Sequence, residues 1–183
     1  MATTSDISKG AFLRYNGDLV MIMDYTHITP GKGNAIYTVK SRSVRTGKQS
    51  EIRFRSGEKI EMVRVETHEL QYLYQEGDHL VCMNQETFEQ QSIPKHFFGD
   101  SLRFLQEGMI VLVKFDDNEE AVYAEPPRSV ELTVTYTETG IKGDTVSRTL
   151  KPAELETGAT VQVPLFVNTG DKIKITTETG EYI

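Results

Sequence analysis

Lys32 is the residue of this chain best placed to act on a polyanion. It stands in the run Thr29-Pro30-Gly31-Lys32-Gly33-Asn34. A Pro-Gly pair sets a tight turn, because Pro fixes its own φ and Gly accepts a positive one. The second glycine leaves the lysine without a bulky neighbour on either side. Apolar, β-favouring runs flank the turn, Leu19 to Met23 before it and Ala35 to Val39 after it. The pattern predicts a β-hairpin with one lysine held out at its tip. A lone cation on a thin projection can enter a narrow polyanionic site. The plain alternative is a surface lysine in an ordinary turn. Gly143-Asp144-Thr145 forms a second candidate tip, between strand-like runs at Leu132–Tyr136 and Val146–Leu150. Asp accepts hydrogen bonds from base amino groups or hydroxyls, and Thr both donates and accepts. The same residues also suit a turn made for its own sake.

Other chemistry is not legible. The four histidines, His27, His68, His79 and His96, share no metal-ligand spacing, and Cys82 has no second cysteine to assist it. No Gly-x-Ser-x-Gly elbow occurs. Gly31-Lys32-Gly33 lacks the earlier glycine and the following Ser/Thr of a phosphate-binding loop. The acidic run Asp116 to Glu120 lacks the alternating ligands of a calcium loop and reads as a solvated turn. No metal or cofactor is expected, and an enzyme is the last-ranked reading, since no nucleophile–base pair is visible.

Short strand-like runs must position the two tips. They alternate with turn signals at Asn16-Gly17-Asp18, Thr46-Gly47-Lys48, Ser56-Gly57-Glu58, Glu76-Gly77-Asp78, Thr139-Gly140 and Thr169-Gly170-Asp171. This spacing predicts an all-β chain built from small barrels. One short helix is expected near 96–106, from Phe98, Leu102 and Leu105 at helical spacing, with Asp100 as a start signal and Gly108 as a stop.

The pattern Leu105-x-x-Gly108-x-x-Val111-x-Val113 returns 50 residues later as Leu155-x-x-Gly158-x-x-Val161-x-Val163. Each copy reads as a turn at glycine followed by a strand, so two related units are expected. With the preceding residues this gives three domains, 1–63, 64–128 and 129–183, the second boundary marked by Glu125-Pro126-Pro127. The expected cores are Phe12, Val20, Ile22, Ile36, Val39 and Phe54 in the first; Leu80, Phe98, Leu102, Val111 and Val113 in the second; and Val134, Val161, Val163, Phe166, Ile173 and Ile175 in the third.

Of 183 residues, 38% are hydrophobic and 26% charged, with a net charge of −7. The charge is uneven. Residues 1–63 hold 10 Lys/Arg against 6 Asp/Glu, residues 64–128 hold 5 against 13, and residues 129–183 hold 5 against 8. A basic first third and a strongly acidic middle suggest that one end meets nucleic acid while the rest resists adhesion to it. The run Leu19 to Met23 stops at Asp24, too short to span a membrane, and Met1 to Gly10 lacks a signal-peptide core. A reducing cytoplasm is the expected compartment.

The stretch Lys151 to Asp171, with Ala153, Leu155, Gly158, Val161, Val163, Pro164, Phe166, Asn168 and Gly170 at fixed spacing, resembles the C-terminal signature of bacterial elongation factor P. The likeness covers the whole chain, with the Pro-Gly-Lys-Gly tip and Gly143-Asp144-Thr145 in family order. It implies an SH3-like barrel followed by two OB-folds, and a monomeric translation factor that catalyses no covalent chemistry. Such a factor binds the ribosome between the P and E sites, beside the peptidyl-tRNA, and relieves stalling at consecutive prolines. The resemblance makes Lys32 the tip lysine, which in many members an enzyme extends, and makes Pro30, Gly31, Gly33 and Asn34 its loop. Gly143, Asp144 and Thr145 match the loop that approaches mRNA at the exit site. Arg42, Arg45, Lys48, Arg53 and Arg55 become candidate contacts to tRNA phosphates, although each alone also suits a solvated strand face. The chain departs from many members at Thr29, where they carry a basic residue, and in stopping at Ile183, where they continue with basic residues.

The rival reading is an OB-fold binder of single-stranded nucleic acid, with Tyr72, Tyr74 and Phe88 as stacking platforms. The acidic middle of the chain argues against it.

Overall fold

The computed structural model describes residues 2–29, 31, 33, 35–139 and 150–183. Among these the chain is almost wholly β, and its strands follow the turn signals of the sequence. The first sheet has the order β4-β3-β2-β1-β5. It consists of β1 (Phe12–Tyr15), β2 (Asp18–Ile28), β3 (Ile36–Ser43), β4 (Gln49–Arg55) and β5 (Glu61–Val63). The second has the order β10-β9-β6-β7-β8, from β6 (Glu66–Glu76), β7 (His79–Asn84), β8 (Gln90–Pro94), β9 (Ile110–Phe115) and β10 (Ala121–Glu125). The third has the order β13-β12-β11-β14, from β11 (Ser129–Thr137), β12 (Leu150–Leu155), β13 (Thr160–Pro164) and β14 (Lys172–Thr176). The curled sheets give the expected all-β class, an SH3-like half-barrel and OB-type half-barrels. By contact the chain divides into two compact units, residues 1–68 with 113–123 and residues 69–112 with 124–183.

In the first unit, strand alternation loads both faces of the sheet. Leu13, Val20, Ile22, Val39, Ile52 and Phe54 pack with Ile7 and Ile60. Their neighbours Phe12 and Met21 turn the other way and pack with Val122. Buried polar groups on these strands are satisfied: the Ser43 hydroxyl donates to Asp18 Oδ2 at 2.8 Å, and Ser41 bonds to Ser50.

In the second unit, one core joins Val130, Leu132 and Val134 of β11 to Ala153 and Leu155 of β12. Val161, Val163, Ile173, Ile175 and Phe104 complete it. A side chain as fully buried as Leu132 or Ile175 gains about 1.5–3 kcal/mol over an exposed one. Pro152 lies inside the central strand β12, where a proline removes a ladder bond. The Pro152 carbonyl accepts a bond from the Thr137 hydroxyl at 2.8 Å.

The internal repeat shares a left-handed glycine and a buried strand, but not a turn: the first copy leads from a 3-10 helix into β9, the second joins β12 to β13. Gly108 and Gly158 take φ of 95° and 91°, a region costly for any side chain. Each leads from a buried Leu, 105 or 155, into a strand whose two valines are buried.

The expected short helix is present, as a 3-10 helix over Lys95–Phe104 broken at Gly99 (φ 57°, ψ −140°) just before Asp100, and Gly108 belongs to the next turn. The break lets Phe97, Phe98 and Phe104 all be buried, while Leu102 is only half-buried. Three expected core residues, Leu102, Ile36 and Phe166, are less buried than foreseen. Ile36 is 40% exposed and Phe166 is 71% exposed. Ile36 sits where the hairpin has left the core, and Phe166 lies two residues past the end of β13, at the rim, where its ring meets the Tyr182 ring edge-on at 6.3 Å.

Cys82 is fully buried, and burial pushes its thiol up to about 11, so it is a protonated core side chain at neutral pH. No described helix is long and apolar enough to cross a membrane.

Candidate nucleic-acid interface

The β2–β3 hairpin grows out of the core by a visible rule. From Val20 to Ile22 the strand is buried; from Asp24 to Ile28 every residue is exposed. The ladder changes register between Ile22 and Asp24, a bulge at Met23 that re-aims the outer part of the hairpin. Pairing then runs on to Ile28↔Ile36. Gly31 and Gly33 are exposed, and a methyl group added at either would meet nothing within 4 Å. Gly33 takes φ 106°, which only glycine adopts readily. Lys32, Pro30 and Asn34 lie outside the described residues.

The exposed arm carries a ring stack. His27 and Tyr37 are cross-strand partners, with ring centroids 4.1 Å apart and planes at 8°. Tyr25 lies 6.4 Å from Tyr37 at 30°. The sequence reading missed this group. Its signal was an alternating Tyr25-x-His27 pair facing an aromatic on the returning strand.

The register also sorts the expected basic residues. Thr38 faces Arg53, Ile36 faces Arg55, Lys40 faces Glu51 and Arg42 faces Gln49. Cross-strand partners share a face, so Arg53, Arg55, Arg42 and Lys40, the last not foreseen, lie on one side of β3–β4. Val39, Ile52 and Phe54 occupy the buried side. Arg53 and Arg55 are exposed, whereas Arg42 is half-buried and its Nε donates to the Gly47 carbonyl at 3.4 Å. Arg45 and Lys48 are exposed on the turn joining β3 to β4. None of the five is held in an ion pair among the described residues, so their charges remain available to phosphate.

Gly143, Asp144 and Thr145 lie outside the described residues. The strands on either side are tied together beside that stretch. Lys151, 4% exposed, donates from Nζ to the Glu138 carbonyl at 2.5 Å.

The stacking platforms of the rival reading do not form a set. Tyr72 is a core residue at 7% exposure, and burial first, then the nearby Glu107 carboxylate, raises its hydroxyl pKa. Tyr74 and Phe88 are exposed. Among the described residues no three His, Cys, Asp or Glu side chains gather as a metal site.

Comparison with known proteins gives the family. Residues 3–60 match the "Elongation factor P (EF-P) KOW-like domain", residues 65–123 the "Elongation factor P (EF-P) OB domain" and residues 130–183 "Elongation factor P, C-terminal". Elongation factor P of Parabacteroides distasonis is 47% identical over 184 residues, covering 100% of this chain and 97% of that protein. The Acidothermus cellulolyticus protein of the same name is 44% identical over 183 residues, again with 100% and 97% coverage. In fold, the chain is similar to the solved structure "Eukaryotic translation initiation factor 5A from Methanococcus jannaschii". The TM-score is 0.54 at 19% identity, over 67% of this chain and 92% of that one. With relatives this similar along their whole length, the chain belongs to the elongation factor P family of translation elongation factors.

Proposed function

We propose that this chain binds the ribosome between the P and E sites, beside the peptidyl-tRNA, and promotes peptide bond formation at consecutive prolines by positioning the tRNA end. The observation that carries this reading is the β2–β3 arm. It leaves the core after Ile22 and stays paired to Ile28↔Ile36, and the sequence between its strands carries a glycine-flanked lysine.

Proline reacts poorly as donor and acceptor because its ring restricts the geometry of the reacting groups. A factor that holds the tRNA end in a productive pose lowers the barrier by orientation and need transfer no proton. A lysine ammonium on a flexible stem suits phosphates and sugar hydroxyls. An extension added to Lys32 by a modifying enzyme would lengthen its reach. Arg42, Arg45, Lys48, Arg53 and Arg55 would lie along the acceptor arm, with Gly143, Asp144 and Thr145 near the mRNA. The working domains in this reading are 1–63, 64–128 and 129–183, in a monomer that acts in the cytoplasm without a cofactor. The acidic middle of the chain limits adhesion to bulk RNA.

The test is synthesis through a three-proline stretch with wild type and Lys32→Ala. The variant is expected to leave the stall in place. Equal rates would remove the role given to Lys32.

A further inference from the structure

The turn between β7 and β8 holds Phe88 in an unfavourable state twice over. Its ring is 70% exposed. Its backbone takes φ 62°, the left-handed region that a bulky side chain rarely adopts. Elsewhere among the described residues such positions fall to glycine or to the polar Asn16 and Glu119. Only here is an apolar side chain placed in that conformation. The turn is built to keep it there. Asn84 Oδ1 accepts from the Glu86 N–H at 2.8 Å and the Thr87 N–H at 3.2 Å. The Phe88 N–H donates to the Asn84 carbonyl at 2.7 Å, and the Asn84 N–H donates to the Glu89 carbonyl at 2.9 Å. Strain over-determined by its surroundings, on an apolar ring turned to water, is the pattern of a contact residue.

We propose that Phe88 is an anchor that inserts into an apolar pocket on a basic protein surface of the ribosome; this rests on the ribosome-binding reading above. Charge selects the partner. The hairpin from His79 to Pro94 carries Glu86 and Glu89 beside the ring and no lysine or arginine. Two carboxylates next to the anchor repel RNA phosphates and attract the lysines and arginines of a protein rim. Aromatic rings buried at the centre of such contacts are among the few residues that dominate affinity.

The experiment uses the full chain and ribosomes carrying a P-site peptidyl-tRNA. Affinity and melting temperature are measured for wild type, Phe88→Ala and Phe88→Gly. Both variants are expected to bind roughly tenfold more weakly, while Phe88→Gly melts no lower than wild type because its backbone strain is relieved. Wild-type affinity in both variants overturns the proposal. A wild type that does not bind ribosomes overturns the reading beneath it and is seen before any variant is compared. Replacing Phe88 with photoreactive p-benzoylphenylalanine identifies what it touches. A protease-sensitive, nuclease-resistant adduct supports a protein pocket, and an adduct on RNA overturns it.

Discussion

His27 lies flat on Tyr37 across the two strands that lead to residue 32, 4.1 Å between centroids and 8° between planes. His27 is on the exposed part of the hairpin, whereas Tyr37 is half-buried and packs against the edge of the first core. The stack therefore ties the exposed strand to the core's edge, and two stacked rings are among the stiffer pairs available.

Removing the stack is therefore expected to soften the arm without unfolding the sheet. His27→Ala should cost about 0.5–1 kcal/mol of stability. It should also slow synthesis through consecutive prolines although Lys32 is intact, while His27→Phe restores both. Urea unfolding and a three-proline translation assay measure the two effects. A variant as active as wild type would mean that the stack does not position the tip.

Three glycines at positive φ make a graded prediction. At Gly108 and Gly158 an added methyl would meet open space, so Gly→Ala there should cost only the left-handed backbone, about 1–2 kcal/mol. Gly180 also has a positive φ, 77°, but its added methyl would meet the Phe104 ring at 3.0 Å and the Arg103 guanidinium at 3.2 Å. Gly180→Ala should be the worst of the three in urea unfolding. Equal losses would show that the Phe104 ring yields freely.

Glu156 gives a pH signature. The Thr133 N–H donates to its Oε1 at 2.9 Å. That bond, then Gln106 and the charge of Lys172, hold the carboxyl below the ordinary glutamate range. A group whose pKa is lowered in the folded state adds stability above its unfolded pKa, and that contribution fades as pH falls through the folded value. Glu156→Gln should thus be slightly less stable than wild type at pH 7. The two should converge as the pH drops below the usual glutamate range, in melting curves taken from pH 7 to pH 3. A difference that persists in acid would assign the effect to packing.

Much of this was legible in the residues. Alternation at 111/113, 161/163 and 173/175 named buried pairs correctly, because period two is a direct consequence of the pleat. The hairpin around Lys32 was readable from Pro30-Gly31 and its flanking runs. What failed depended on where chain segments lie in space. Ile36 looks like its buried neighbour Val39, yet the sheet has parted from its core at that point. Phe166 reads as a core aromatic until the end of β13 is known. The His27–Tyr37 pair needed the register across the bulge at Met23, which no local pattern records. Lys40 shares the face of Arg42 two residues on, a consequence of the same period of two.

Phe104, fully buried, ends the broken 3-10 helix but packs into the core made by β11 to β14. The last sheet is therefore not self-sufficient. A fragment starting at residue 129 would have a hole the size of a phenyl ring. On the nascent chain, Phe104 emerges from the exit tunnel before any strand that will cover it, so the ring must wait, exposed, until translation of the final sheet is complete.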